Sequence, residues 1–157
     1  MEYNELTNQK IWKYFGKLSE IPRESGNEKG VSDYLINFAK QRDLKVSRDD
    51  ALNIIIEKDA TKGYENHTPI TLQAHMDMVC VKEDDSDHDF EKDPIKLLVD
   101  GDWVKADGTT LGADNGIGLA YILAILDEED IKHGPIQAII TSGEETSMVL
   151  SLIHIWR

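Results

Sequence analysis

Cysteine is nearly absent from this 157-residue chain, and the single Cys80 excludes a disulfide framework within it. That scarcity fits a reducing cytosol. Basic residues are also few, 17 against 30 acidic ones, which leaves a formal net charge of −13. Such a balance argues against nucleic-acid binding through phosphate neutralisation and permits cation binding. Long apolar runs are missing as well. The longest, Ile117 to Leu126, is about half of what a bilayer crossing needs, so no membrane span is expected. Met1 to Lys10 is polar and mixed in charge, so a secretory leader is not expected. There is no internal repeat, no Gly-x-Ser-x-Gly elbow and no phosphate-binding Gly-rich loop with Lys, and Cys80 has no evident partner base.

What is present suits one soluble domain or a piece of a larger one. Hydrophobic residues make up 40% of the chain, and a domain of this length buries roughly 68–70% of its unfolded surface without disulfides. Leu6, Ile11, Tyr14, Phe15 and Leu18 share one side of a helical wheel and predict a helix over Glu5 to Ser19. Ser25-Gly-Asn-Glu28 reads as a capping box opening a second helix with Val31, Tyr34, Leu35 and Phe38 at helical spacing. Leu44 to Arg48 and Leu52 to Lys58 predict a hairpin around Asp49-Asp50, and Lys96 to Val99 with Trp103 to Ala106 a second around Asp100-Gly101-Asp102. Ile70 to Ala74 and Ile136 to Thr141 read as apolar strands, and Ile117 to Asp127, apolar on nearly every side, as a fully buried helix. The alternation predicts the α/β class, a mixed sheet layered by helices.

The acidic run Glu83 to Asp93 alternates Asp85, Asp87 and Asp89 like a calcium loop, but Phe90 stands where such a loop needs Gly and Lys96 where it needs Glu. It reads as a solvated loop. His67, His88 and His133 lie in polar segments and read as solvated too.

Three other segments carry chemistry, each at a strand end or a helix start. In His75-Met-Asp77 the two polar side chains point the same way if the strand continues, and a metal-bound imidazole usually gives its second N–H to a carboxylate. In Gly112-Ala-Asp114-Asn-Gly116-Ile-Gly118 a carboxylate sits where the chain enters the apolar helix. In Thr141-Ser-Gly-Glu144-Glu145 two adjacent acids follow an apolar strand, which is costly unless a cation or proton compensates them. Singly, each has a plainer reading: a structural His, a helix N-cap, acids suited to a helix N-terminus. Together, one imidazole and three carboxylates at neighbouring strand ends match the oxygen-and-nitrogen shell of a hydrolytic zinc pair.

These three motifs resemble the N-terminal signatures of the co-catalytic zinc peptidases that include aminoacylase and glutamate carboxypeptidase, and the resemblance runs from about Leu6 to Val149. Leu72 to Cys80, His88 to Ile95 and Gly108 to Gly116 resemble more narrowly the dipeptidase branch, whose members cleave Xaa-His and other dipeptides in the cytoplasm. The resemblance implies two divalent ions, zinc with manganese or cobalt as alternatives, held by His75, by Asp114 as the bridge and by Glu145. It implies that Asp77 orients His75, that Glu144 is the general base, and that the Asp114–Asn115 peptide is cis. Gly143 departs from the pattern, since an Asp is common there.

The family's remaining two ligands, an Asp after the Glu pair and a His near the far C-terminus, are not in this chain, and neither is the lid domain that often forms a homodimer. A whole member would be about three times this long. The resemblance therefore implies the N-terminal part of a zinc exopeptidase catalytic domain, inactive by itself, over residues 1–149. Leu150-Ser-Leu-Ile-His-Ile155 resembles the translation of CTG TCT CTT ATA CAC ATC, a transposon end used in library construction, so residues 150–157 are expected to be a non-native tail in which His154 is no ligand. Within the class, an aminoacylase or tripeptidase is the alternative; outside it, a non-catalytic cation-binding module on Asp85, Asp87 and Asp89.

Overall fold

The computed structural model describes residues 3–6 and 9–147; the expected boundary at Val149 and the tail beyond it lie outside the described residues. Four strands form the main sheet, β1 (Lys45–Arg48), β2 (Ile54–Lys58), β3 (Ile70–His75) and β6 (Ile136–Thr141), in the order β1-β2-β6-β3. β1 pairs with β2 and β2 with β6 antiparallel, while β3 and β6 are parallel, so the sheet is mixed as expected. Between β3 and β6 lie the hairpin β4 (Leu97–Asp100) and β5 (Trp103–Ala106), then the helix α4 (Ala113–Leu126). That long connection is what a parallel pair requires.

Side-chain alternation decides which face is buried. Val46, Ile56, Ala138 and Leu72 stand in one row across the sheet, and Ile54, Ile140 and Ala74 in the next. All seven belong to or pack against a single core. The helix α2 (Lys10–Ser19) contributes Tyr14, Phe15 and Leu18 to it, and α3 (Lys29–Lys40) contributes Val31, Leu35, Phe38 and Ala39, each at helical spacing. α4 lies on β3 and against α2, and α3 covers β1 and β2.

Four expectations change. The first helix is broken: α1 (Tyr3–Leu6) is a separate turn, Gln9 is extended (φ −95°, ψ 129°), and α2 starts at Lys10. Tyr3 folds back, donating a 2.5 Å hydrogen bond to Trp12 O, with its ring over Gly16, where a Cβ would lie 2.8 Å away. A continuous helix would place residues 3 and 16 about 20 Å apart. The capping box does not form, because Glu28, itself the N-cap residue, makes no side-chain cap bond and both Ser25 and Glu28 are engaged elsewhere. α4 is not buried all round: Leu119, Leu123 and Leu126 are in the core, but Tyr121 is 52% and Ile125 36% exposed, since α2 and β3 cover only one side. His88 is half-buried against Phe90 (ring centroids 4.5 Å), and His133 is half-buried with Nδ1 2.8 Å from Gly134 O; only His67 is exposed.

The acidic loop stays a loop. Asp89 accepts from the Glu91 N–H and pairs with Lys92, and Asp85 and Asp87 are exposed.

Candidate metal centre

Parallel pairing of β3 and β6 brings His75 opposite Thr141, and the Met76 N–H extends the pairing with a 2.8 Å bond to Thr141 O. The two strands therefore end side by side. His75 is the last residue of β3, and Glu144 and Glu145 open the short helix α5 (Glu144–Ser147) directly after β6. Asp114 arrives from α4, whose first residues are irregular: Gly112 is left-handed (φ 67°), Asp114 and Asn115 are non-helical, and the Asp114–Asn115 peptide is cis, as the resemblance implied.

All five sequence-selected residues meet here. One donor atom each from His75, Asp114 and Glu145 lies within 4.8 Å of the others, and among the described residues no other such group forms, the acidic loop included. His75 Nε2 is 3.1 Å from Asp114 Oδ1 and 3.8 Å from Glu144 Oε2. The other ring nitrogen, Nδ1, faces Asp77, 3.1 Å from its carbonyl and 3.4 Å from Oδ1.

Asp77 is fully buried yet satisfied. Oδ1 accepts the Glu144 N–H and faces His75; Oδ2 accepts the Glu145 N–H at 3.1 Å and the Ser25 hydroxyl at 2.7 Å. A carboxylate has about four acceptor sites, and four donors meet it. Burial pushes the Asp77 carboxyl up, but His75, Ser25 and the two N–H groups outweigh it and hold the group well below the usual carboxylate range. Burial lowers His75, but hydrogen bonds to Asp77 and Asp114 and the charges of Asp77 and Glu144 outweigh it, raising the imidazole to about 9. Glu145 is raised by burial and by the neighbouring Asp114, Glu144 and Asp77 carboxylates, against the pull of His75.

The donor set fits a divalent ion. One imidazole nitrogen and carboxylate oxygens are zinc-type ligands, and the acids crowd around one basic group. The Asp114 side chain is 86% exposed, which leaves the cluster open to solvent.

Sequence reasoning missed three residues that hold this arrangement. Ser25 and Glu28 fit a local capping signature and so hid their distant partners. Arg23 carries no local signature; the one hint was a polar stretch, Arg23 to Glu28, wedged between two amphipathic helices.

Fold and donor set define an α/β protein with a candidate metal centre at the C-terminal ends of two parallel strands. Residues 71–154 match Peptidase family M20/M25/M40, and the chain belongs to that family. It is 48% identical over 147 residues to the cytosol non-specific dipeptidase of Escherichia coli (strain K12), covering 94% of this chain and 30% of that protein. The crystal structure of aminoacylhistidine dipeptidase from Vibrio alginolyticus is similar with a TM-score of 0.91 and 46% identity, over 95% of this chain and 30% of that one. A tripeptidase from Staphylococcus aureus is similar with a TM-score of 0.73 and 30% identity, over 90% and 38%. The chain thus spans about 30% of the length of the dipeptidases it matches.

Proposed function

We propose that this chain is the N-terminal part of a longer cytoplasmic metallo-dipeptidase that hydrolyses Xaa-His and other dipeptides. The observation that carries the reading is the convergence of His75, Asp114 and Glu145 within 4.8 Å, with Glu144 beside them. Similarity to dipeptidases at 46–48% identity favours dipeptides over the tripeptides suggested by the 30% relative.

In this reading His75, Asp114 and Glu145 would hold divalent metal, zinc before manganese or cobalt. Bound there, the metal supplies a Lewis acid for the peptide carbonyl and an activated water. Asp77 fixes the ring orientation of His75 through Nδ1. Glu144, its carboxylate 3.8 Å from His75 Nε2, takes a proton from the attacking water and returns it to the leaving amine. Three donors around one position suit a single ion. The chain alone therefore binds one divalent cation and does not turn over substrate, while the longer protein completes the ligand set and adds the lid and a homodimer contact.

Glu144→Gln in the longer protein tests the reading. Hydrolysis of an Xaa-His dipeptide should be lost while metal content, read by elemental analysis, stays at the parent level; unchanged turnover overturns the base assignment. The same assay with tripeptides and N-acyl amino acids separates the related activities. A cation-binding module on the acidic loop predicts instead that Asp85, Asp87 and Asp89 govern metal content.

A further inference from the structure

We infer that the segment Arg23 to Glu28, which joins α2 to α3, is a brace that sets the spacing of the metal-ligand segments, with Arg23 and Glu28 as positioning residues. The inference builds on the metal-centre reading and adds residues that no ligand motif contains.

Arg23 is 2% exposed. Its Nη1 donates to Met76 O at 3.1 Å and Asp77 O at 3.2 Å, and its Nη2 to Gly112 O at 2.5 Å. One guanidinium thus ties the segment after His75 to the turn before Asp114. Main-chain contacts add to the tie, since Arg23 O accepts the Met78 N–H at 3.1 Å and Glu24 bridges to Met78 in parallel. Ser25 then reaches the Asp77 carboxylate, and Glu28, itself buried, accepts the Gly143 N–H at 3.1 Å. Six consecutive residues touch all three segments that present ligands.

A purely structural role for Arg23 fits these facts less well. Burying a guanidinium is expensive, and an apolar side chain fills space at lower cost. Here the partners are three carbonyls rather than a carboxylate, and Nε is buried without a partner. What the planar fork offers is two nitrogens held apart in fixed directions, one for Met76 O and Asp77 O and the other for Gly112 O, where an ammonium would have to donate from a single atom. The glycines opposite are matched to it: a Cβ on Gly116 would lie 2.6 Å from Arg23 Nη2, and one on Gly112 would collide with the same nitrogen and lie 2.6 Å from Met78 Sδ. Two of the glycines in the Asp114 motif thus make room for the guanidinium.

The test is a titration of the whole chain with Co²⁺, read by the visible absorption of the bound ion, alongside thermal unfolding. Arg23→Lys and Glu28→Ala should each weaken Co²⁺ binding by about tenfold or more and change the absorption envelope, whereas Glu28→Gln, which keeps an acceptor for the Gly143 N–H, should stay within about twofold. Arg42→Lys, remote from the site, should lower the melting temperature and leave Co²⁺ affinity and spectrum unchanged. If Arg23→Lys does not fold, Ser25→Ala and the Glu28 pair decide. Folded variants at Arg23 and Glu28 that keep parent affinity and spectrum overturn the brace. His75→Ala separates the two layers: loss of binding there with no effect at 23, 25 and 28 overturns the brace alone, while unchanged binding in His75→Ala overturns the metal centre and the brace with it.

Discussion

Asp77 Oδ2 accepts the backbone N–H of Glu145 at 3.1 Å, so a buried carboxylate beyond the end of β3 holds the start of the helix that follows β6. The same carboxylate accepts the Glu144 N–H, which fixes both acids relative to His75. Replacing it with Asn keeps the volume but sets amide hydrogens against groups that already donate. Asp77→Asn should cost about 2–4 kcal/mol of unfolding free energy by urea titration, since each stranded buried donor costs about 1–3. A loss below about 0.5 kcal/mol, the range of an ordinary surface change, would contradict this account.

Gly112 is left-handed and packed against Arg23 and Met78, whereas Gly63 is left-handed (φ 91°) with nothing within 4 Å of a built Cβ. Ala at either position meets backbone strain of about 1–2 kcal/mol. Gly112→Ala should therefore be the more destabilising by at least about 1 kcal/mol in chemical denaturation, the usual size of an overpacking penalty.

Arg42 Nε donates to Asp127 Oδ1 at 2.7 Å while its Nη2 donates to the Tyr14 hydroxyl at 3.0 Å, joining α2, α3 and the end of α4. Burial raises the Asp127 carboxyl, but the Tyr14 and Arg42 bonds and the charges of Arg42 and Lys10 outweigh it and hold it below its ordinary value. A carboxyl depressed on folding stabilises fully above its unfolded pKa, about 3.9, and loses that contribution as pH falls through the folded value. The melting-temperature gap between the parent and Asp127→Asn should be largest near neutral pH and close as the pH falls below the unfolded pKa. A gap that widens on acidification would reverse the sign.

The two sides of α4 differ in consequence. Leu123→Ala, in the core, should cost about 2–5 kcal/mol. Tyr121→Ala, on the exposed side, should stay within about 0.5 kcal/mol. Equal losses in thermal unfolding would show that Tyr121 is covered.

Strand positions were legible in the sequence because alternation maps directly onto the faces of a sheet, as with Ile54, Ile56, Ala138 and Ile140. His75, Asp77, Asp114, Glu144 and Glu145 were legible because each sits just where a strand ends or a helix begins, points recognisable locally. Ser25 and Glu28 misled for the converse reason: spacing of three residues fits a capping box, but partners 52 and 115 residues away won both side chains. The wheel of α4 could not reveal its sidedness, since an apolar helix looks alike whether covered once or twice. Tyr3 packs against Gly16 across the break in the first helix, a contact that helical periodicity does not register.

The sheet order β1-β2-β6-β3 puts the last strand of the described chain in the middle. During synthesis the β1–β2 hairpin and β3 emerge first, with no bond between them, and each exposes the edge that β6 will occupy. Insertion of residues 136–141 closes that gap and, in the same movement, delivers the Glu144 and Glu145 N–H groups to a waiting Asp77. Closure of these four strands and the meeting of Glu144 and Glu145 with His75 and Asp77 are therefore one structural step.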